Sequence, residues 1–193
     1  MSRFALALAF TLIAAAAAAQ TDPRTNSGGQ PAPPTVPRAG SAGEPARVVE
    51  HVQVGERAPD FELPTAAGVK FRLRESRGAW VALFFTDRRD DMPRIAGFSH
   101  MLDSLKVRTL AVCSEKVQAL SAWKDPAAAP MTTLADERGD ISALYGLWDN
   151  VRSSTRQGLF LLDPKGVVRV ALLGQKVGPA SLPGLVQSAK EGI

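Results

Sequence analysis

Hydrophobic positions along this chain switch repeatedly between a spacing of two and a spacing of three or four, and each switch marks a new element. In "DFELPTAAGVKFRL" a short strand runs into a turn through Pro64 to Gly68. A second strand follows, with Val69, Phe71 and Leu73 on one side and Lys70, Arg72 and Arg74 on the other. "WVALFFT", Trp80 to Thr86, is almost wholly apolar, as a central strand covered on both faces should be. Beyond a charged loop, Ile95, Phe98, Leu102 and Leu105 form one stripe of a helix. Pro93 suits the first turn of that helix, where its missing N–H costs nothing.

Arg108 to Cys113 is the next strand, and Ser114 is placed to cap a helix reaching about Lys124, before Pro126. A short strand near Met131 to Leu134 and a helix near Ile141 to Tyr145 follow. "GLFLLDPKGVVRVALL" reads as a hairpin turning through Asp163-Pro164-Lys165-Gly166, with proline second and glycine fourth in the turn. A helix from about Leu182 to Lys190 closes the series. The order β-β-β-α-β-α-β-α-β-β-α predicts an α/β domain.

The chain's first residues read differently. Arg3, an apolar run from Phe4 to Ala19, and small residues Ala17 and Ala19 before Gln20 form a secretory signal with an A-x-A cleavage site. Retention of this segment as an N-terminal anchor is the alternative; the run is too short and alanine-rich for stable membrane insertion. No cysteine follows the cleavage site to take a lipid, and one arginine makes no twin-arginine signal. An exported protein, periplasmic or extracellular, is the expectation. Residues 20–47, rich in Pro, Gly, Ser and Ala, bury too little surface to offset the entropy of ordering, so they read as a disordered linker. Residues 48–193 then form one domain of ordinary size.

Cleavage removes Arg3 and lowers the formal net charge from +4 to +3. The cations are scattered among acids and aromatics are few, which excludes the basic stripe and stacking rings of a nucleic-acid surface. The single cysteine, Cys113, rules out an intramolecular disulfide, so stability rests on a packed core.

Three stretches, in this order, carry a family likeness. "VGERAPDFELPTAAGVKFRL" with "RGAWVALFF" resembles the opening segment of peroxiredoxins, the alkyl hydroperoxide reductase and thiol-specific antioxidant (AhpC/TSA) redoxins. "ADERGDISALYGLW" is similar to that family's acidic turn and Tyr-Gly helix, and "GLFLLDPKGVVR" to its closing hairpin. The likeness spans Val54 to Gly174. It implies a thioredoxin-like fold with an N-terminal β-hairpin extension and a central mixed sheet flanked by helices. It also implies thiol-redox, antioxidant oxidoreductase chemistry without a cofactor, with a peroxide or a thiol-redox partner protein as the reacting species.

In that family a low-pKa cysteine in the first turn of the helix after the central strand attacks the O–O bond of a peroxide. Carried over by position, its Thr or Ser falls on Met92, its proline on Pro93 and its cysteine on Ile95. An aliphatic side chain cannot ionise, so the resemblance implies a degenerate site. The family's peroxide-polarising arginine falls on Gln157, with Arg156 one residue earlier; a slip of one residue at a strand entrance reverses the side faced. Arg156 is therefore either anion-facing or solvated.

Cys113, where the family usually has Ser, has two readings. It is a displaced redox thiol near the vacated loop and helix amides, or a small buried residue closing a strand. Arg88, Arg89 and Arg94 in "TDRRDDMPR" form an Arg-rich loop able to hold an anion or a partner's carboxylate, or else a solvated loop. The only histidines, His51 and His100, have no ligand spacing with Asp90 and Asp91, so no metal site is expected. Two functions remain: a thiol-redox protein resting on Cys113, or a non-catalytic binding module that presents the Arg-rich loop.

Overall fold

The protein's structure, a computed structural model, describes residues 52–123 and 130–192. The leader at 1–19, the linker at 20–47, His51 and the Lys124 end of the second predicted helix lie outside the described residues.

The N-terminal extension is an antiparallel hairpin of β1 (Glu62–Pro64) and β2 (Lys70–Arg72). Glu62 accepts ion pairs from both Lys70 and Arg72 on its exposed side. The predicted stripe of Val69, Phe71 and Leu73 does not hold together. Val69 is exposed, and Leu73 has left the strand for a short 3-10 turn, where its N–H donates to Phe61. The alternation ends because the chain must bend there to enter the main sheet.

That sheet is built on β3 (Trp80–Thr86), flanked in parallel by β4 (Val107–Cys113), which in turn carries β5 (Met131–Ala135). A two-residue ribbon of β6 (Trp148–Asp149) and β7 (Ser154–Thr155), absent from the sequence expectation, leads into β8 (Gly158–Leu162) and β9 (Val168–Leu173). These last two join antiparallel, giving a mixed sheet of order β5-β4-β3-β8-β9. β3 is thus central, as its apolar run required.

Because strand side chains alternate, β3 feeds two cores at once. Ala82 and Phe84 join Ile95, Phe98 and Leu102 of α1 (Met92–Ser104), with Leu182 and Val186 of the C-terminal helix. Val81, Leu83 and Phe85 join Phe61 and Leu63 of the extension and Phe160 and Leu162 of β8 on the opposite face. Tyr145 lies at the centre of that second core, edge-on to Phe160 and tilted against Phe85, and its hydroxyl donates to the Pro59 carbonyl at 2.8 Å. A buried phenol needs such a partner.

The remaining helices are α2 (Val117–Ala122), α3 (Asp140–Leu144) and α4 (Leu182–Glu191). Ser114 does not cap α2. The helix starts at Val117, and the Ser114 hydroxyl instead shares a 2.5 Å hydrogen bond with Thr155 of β7. α3 is held by Asp136, which is buried and accepts from the amides of Ile141 and Ser142 and from the Ser142 hydroxyl. Among the described residues no helix is long and apolar enough to cross a membrane.

The β8–β9 turn is locked by the buried Asp163. One carboxylate oxygen accepts the amides of Lys165 and Val167, and the other accepts two donors from Arg169. Burial pushes its pKa up, but the Val167 amide, the Arg169 guanidinium and the Lys165 amide together hold it below the ordinary carboxylate range. A depressed folded pKa contributes stability that is present above the unfolded value of about 3.9 and is lost as pH falls through the folded value. Asp163→Asn should therefore lower stability at neutral pH by about 1–3 kcal/mol. It should also flatten the acid limb of the stability profile between about pH 5 and 2. Denaturant unfolding across that range checks both, and an unchanged acid limb would rule out this role.

Candidate functional site

The site expected from the resemblance lies where β3 ends and α1 begins. Thr86 is the last residue of β3 and falls on the same side as Ala82 and Phe84, so its hydroxyl is fully buried. A buried hydroxyl needs a partner, and Thr86 Oγ1 donates to Asp91 Oδ2 at 2.9 Å. Asp91 directly precedes α1 but makes no cap bond to the helix. Its carboxylate is engaged instead by Gln157, whose Nε2 donates to Oδ2 at 2.7 Å.

Gln157 in turn accepts from Arg94 Nη2 through its Oε1 at 3.2 Å. Only one orientation of the amide satisfies both neighbours, with nitrogen toward the carboxylate and oxygen toward the guanidinium. Arg94 Nη1 also reaches the Val177 carbonyl, its guanidinium lies 5.8 Å from the Phe98 ring centre, and its buried Nε has no hydrogen-bond partner. Thr86, Asp91, Gln157 and Arg94 are thus one chain of polar contacts that joins the end of β3, the start of α1 and the residue just before β8.

Beside this chain a narrow cleft, with room for about a single water molecule, is lined by Phe84, Ile95, Leu159 and Val177 together with Arg94 and Gln157. Ile95 sits in the first turn of α1 and is 1% exposed, packed into the core as the helical stripe predicted. The first turn of α1, Met92 to Ile95, offers neither thiol nor hydroxyl.

Cys113 ends β4 directly opposite Thr86, so the expectation that it adjoins the loop matches the strand register. Its environment is not that of a reactive thiol. The side chain is fully buried in the same core as Ile95. Burial, then the Glu115 carboxylate, pushes its pKa up to about 12, with Asp87 and Asp91 adding to the rise and a Glu115 backbone contact opposing it. Amide dipoles do not rescue the thiolate, because α2 begins only at Val117 and has six residues. At pH 7 the thiolate fraction is on the order of 10⁻⁵.

The arginines separate. Arg88 and Arg89 are exposed; Arg88 lies 3.6 Å from Asp90, while the Arg89 amide donates to Glu115. Arg94 turns inward to Gln157, so the three share no partner. Arg156 is also exposed and donates to the Gly146 carbonyl, whereas its neighbour Gln157 meets Asp91 and Arg94. The register therefore turns the glutamine, not the arginine, toward the site. Asp90 and the exposed His100 are apart from the Asp91 network, and among the described residues no three His, Cys, Asp or Glu side chains gather as metal ligands. Sequence pattern alone does not bring Thr86 and Asp91 together; the signal for Thr86 is the alternation of β3, which puts it on the side of Ala82 and Phe84.

A mixed five-stranded sheet with an N-terminal hairpin, and a helix whose first turn faces the end of the central strand, define a thioredoxin-like redoxin. Residues 54–171 match the AhpC/TSA family, and the chain belongs to it. It is 30% identical over 130 residues to a putative peroxiredoxin, bcp, of Coxiella burnetii, covering 61% of this chain and 85% of that one. It is 30% identical over 137 residues to the selenocysteine-containing peroxiredoxin PrxU of Peptoclostridium acidaminophilum, covering 61% of this chain and 66% of PrxU. It is 32% identical over 135 residues to peroxiredoxin-2 of Mus musculus, covering 62% of this chain and 68% of that protein. The crystal structure of peroxidoxin BcpB from Mycobacterium tuberculosis shares the fold, with a TM-score of 0.63 at 16% identity over 73% of this chain and 98% of that one.

The burial of Cys113 has a direct readout. Iodoacetamide at about pH 7.5 should leave the native thiol unmodified and label it fully once denaturant opens the core. Mass spectrometry of the intact chain checks this; fast native labelling would mean that the sulfur reaches solvent.

Proposed function

We propose that this chain is an exported, catalytically degenerate member of the peroxiredoxin-like thiol-redox family that works as a binding module. One observation carries the reading. The first turn of α1 holds a buried isoleucine, Ile95, where the family's attacking thiolate would stand, and the chain's single sulfhydryl is buried and protonated. Catalysis by thiolate attack needs an ionised, reachable sulfur.

What the loop does present is charge. Arg88 and Arg89 project from the segment between β3 and α1, where they can pair with carboxylates of a partner protein. Export rests on the Arg3 to Ala19 leader and its A-x-A end. Fractionation of producing cells and N-terminal sequencing should find the exported form beginning at Gln20.

The catalytic half is tested with hydrogen peroxide and dithiothreitol. The full chain and its Cys113→Ser variant should both consume peroxide no faster than reductant in buffer. Turnover that disappears in Cys113→Ser would overturn the proposal and assign the chemistry to that thiol. The binding half is tested on a polyglutamate surface. Arg88→Glu with Arg89→Glu should weaken retention about tenfold, a change of about 1.4 kcal/mol, and leave stability within about 0.5 kcal/mol, as exposed positions allow. Unchanged retention would reject the loop as the contact.

A further inference from the structure

Along the sequence the cations are scattered, but the fold gathers four of them where β3 begins. Arg77 precedes the strand, Arg108 lies on β4 opposite Val81, Arg57 bridges to Val167, and Lys165 sits in the β8–β9 turn. Contacts tie these segments together. Arg108 Nη1 donates to Ser76 Oγ at 3.4 Å, the Gly78 amide donates to the Pro164 carbonyl, and a Cβ on Gly166 would lie 4.0 Å from Arg77 Nε. We propose that this end of the sheet is a docking face for an anionic phospholipid bilayer.

All four cations are exposed, and none has a carboxylate within ion-pairing distance among the described residues. Two acids beside them are engaged. Asp163 accepts the Lys165 and Val167 amides and Arg169, and Asp60 accepts the Arg74 amide and lies 3.9 Å from the Arg74 guanidinium. Glu56 and Glu75 are exposed and lack an ion pair. Four unpaired cations thus stand against two unpaired acids, and the face is net positive.

Shape and side chains choose among polyanions. The cleft between Arg57 and Arg77 has room for about a single water molecule, so a small anion cannot enter and the charges act outward. Leu73, Val81 and Leu162 beneath them are already buried. Val54, in the turn beside Gly55, is exposed, but one valine does not make the apolar centre that a protein interface needs. Phe61 is buried and Phe71 and Trp80 are half-buried, so a nucleic-acid strand finds no open ring to stack on. A layer of lipid phosphates needs neither feature; it needs several cations spread over one face, each of which adds about fivefold to binding.

The N-terminal segment joins the domain at this same end, where the Gly55 amide donates to the Val168 carbonyl and the Val168 amide to the Glu56 carbonyl. The choice of a membrane rests on the export reading of the leader. Binding to vesicles does not require export, so the two can fail separately.

The test sediments the full chain with sucrose-loaded vesicles of phosphatidylglycerol and phosphatidylcholine in equal parts, in about 0.1 M salt. Pure phosphatidylcholine vesicles measure what the apolar leader contributes by itself. Binding to the anionic vesicles should be at least tenfold tighter and should fall away in about 0.5 M salt. Arg57→Gln with Arg77→Gln should weaken it about twentyfold at unchanged thermal melting. Lys165→Gln, a single change in an exposed turn, should weaken it about fivefold and decides the matter if the double variant melts early. Arg88→Glu with Arg89→Glu, at the far end of β3, should stay within about twofold, which separates this face from the polyglutamate contact. Equal binding to both vesicles, unaffected Arg57, Arg77 and Lys165 variants, or tighter binding to duplex DNA than to the anionic vesicles would overturn the proposal.

Discussion

Everything in this molecule is arranged around a seven-residue strand that must be dry on both sides. β3 sends Val81, Leu83 and Phe85 into one core and Ala82 and Phe84 into the other, so each face needs its own cover. α1 and α4 supply one; the N-terminal segment, Tyr145 and Leu147 supply the other. The strand's last residue, Thr86, inherits burial from its position and brings a hydroxyl that must be satisfied. Asp91 meets it, Gln157 meets Asp91, and Arg94 meets Gln157. The polar network at this end of β3 is therefore a consequence of strand alternation carried one residue too far for a purely apolar core.

Which parts were legible in the sequence follows from the range of the forces involved. β3, α1 and the Asp163 turn announce themselves because their patterns are local and strong, and each forms close to its expected position. β6 and β7 have two residues each, too few for any period to appear. Ser114 misled because capping preference is a local tendency, whereas its actual partner, Thr155, arrives from 41 residues along the chain. Val69 misled in the opposite sense. It keeps the strand's alternation in sequence, but the short hairpin ends before a core can reach it.

Cys113 shows how two correct local observations can combine into the wrong chemistry. The thiol does end a parallel strand beside the loop, and a helix does follow. Helix amides act over about one turn, and α2 starts four residues on, while desolvation acts on the sulfur directly. Burial wins, and the neighbouring carboxylates push the same way. The order of magnitude could not be read from residue types because it depends on which side of β4 the sulfur faces. The pairing with Thr86 puts it on the α1 side, under a closed first turn.

The two ends of β3 handle charge in opposite ways. At the Thr86 end, Asp91 and Arg94 are joined through the amide of Gln157, so acid and base are internally matched and Arg156 is diverted to the Gly146 carbonyl. At the Val81 end, Asp163 and Asp60 are matched to Arg169 and Arg74, while Arg57, Arg77 and Arg108 have no carboxylate partner among the described residues. About 20 Å of strand separates these ends, well beyond the screening length at physiological salt, and both cores clamp the strand between them. Changes of side chain at one end can thus abolish a reaction without disturbing the electrostatics of the other. The fold by itself does not fix which end carries recognition, which has to be argued from the side chains at each.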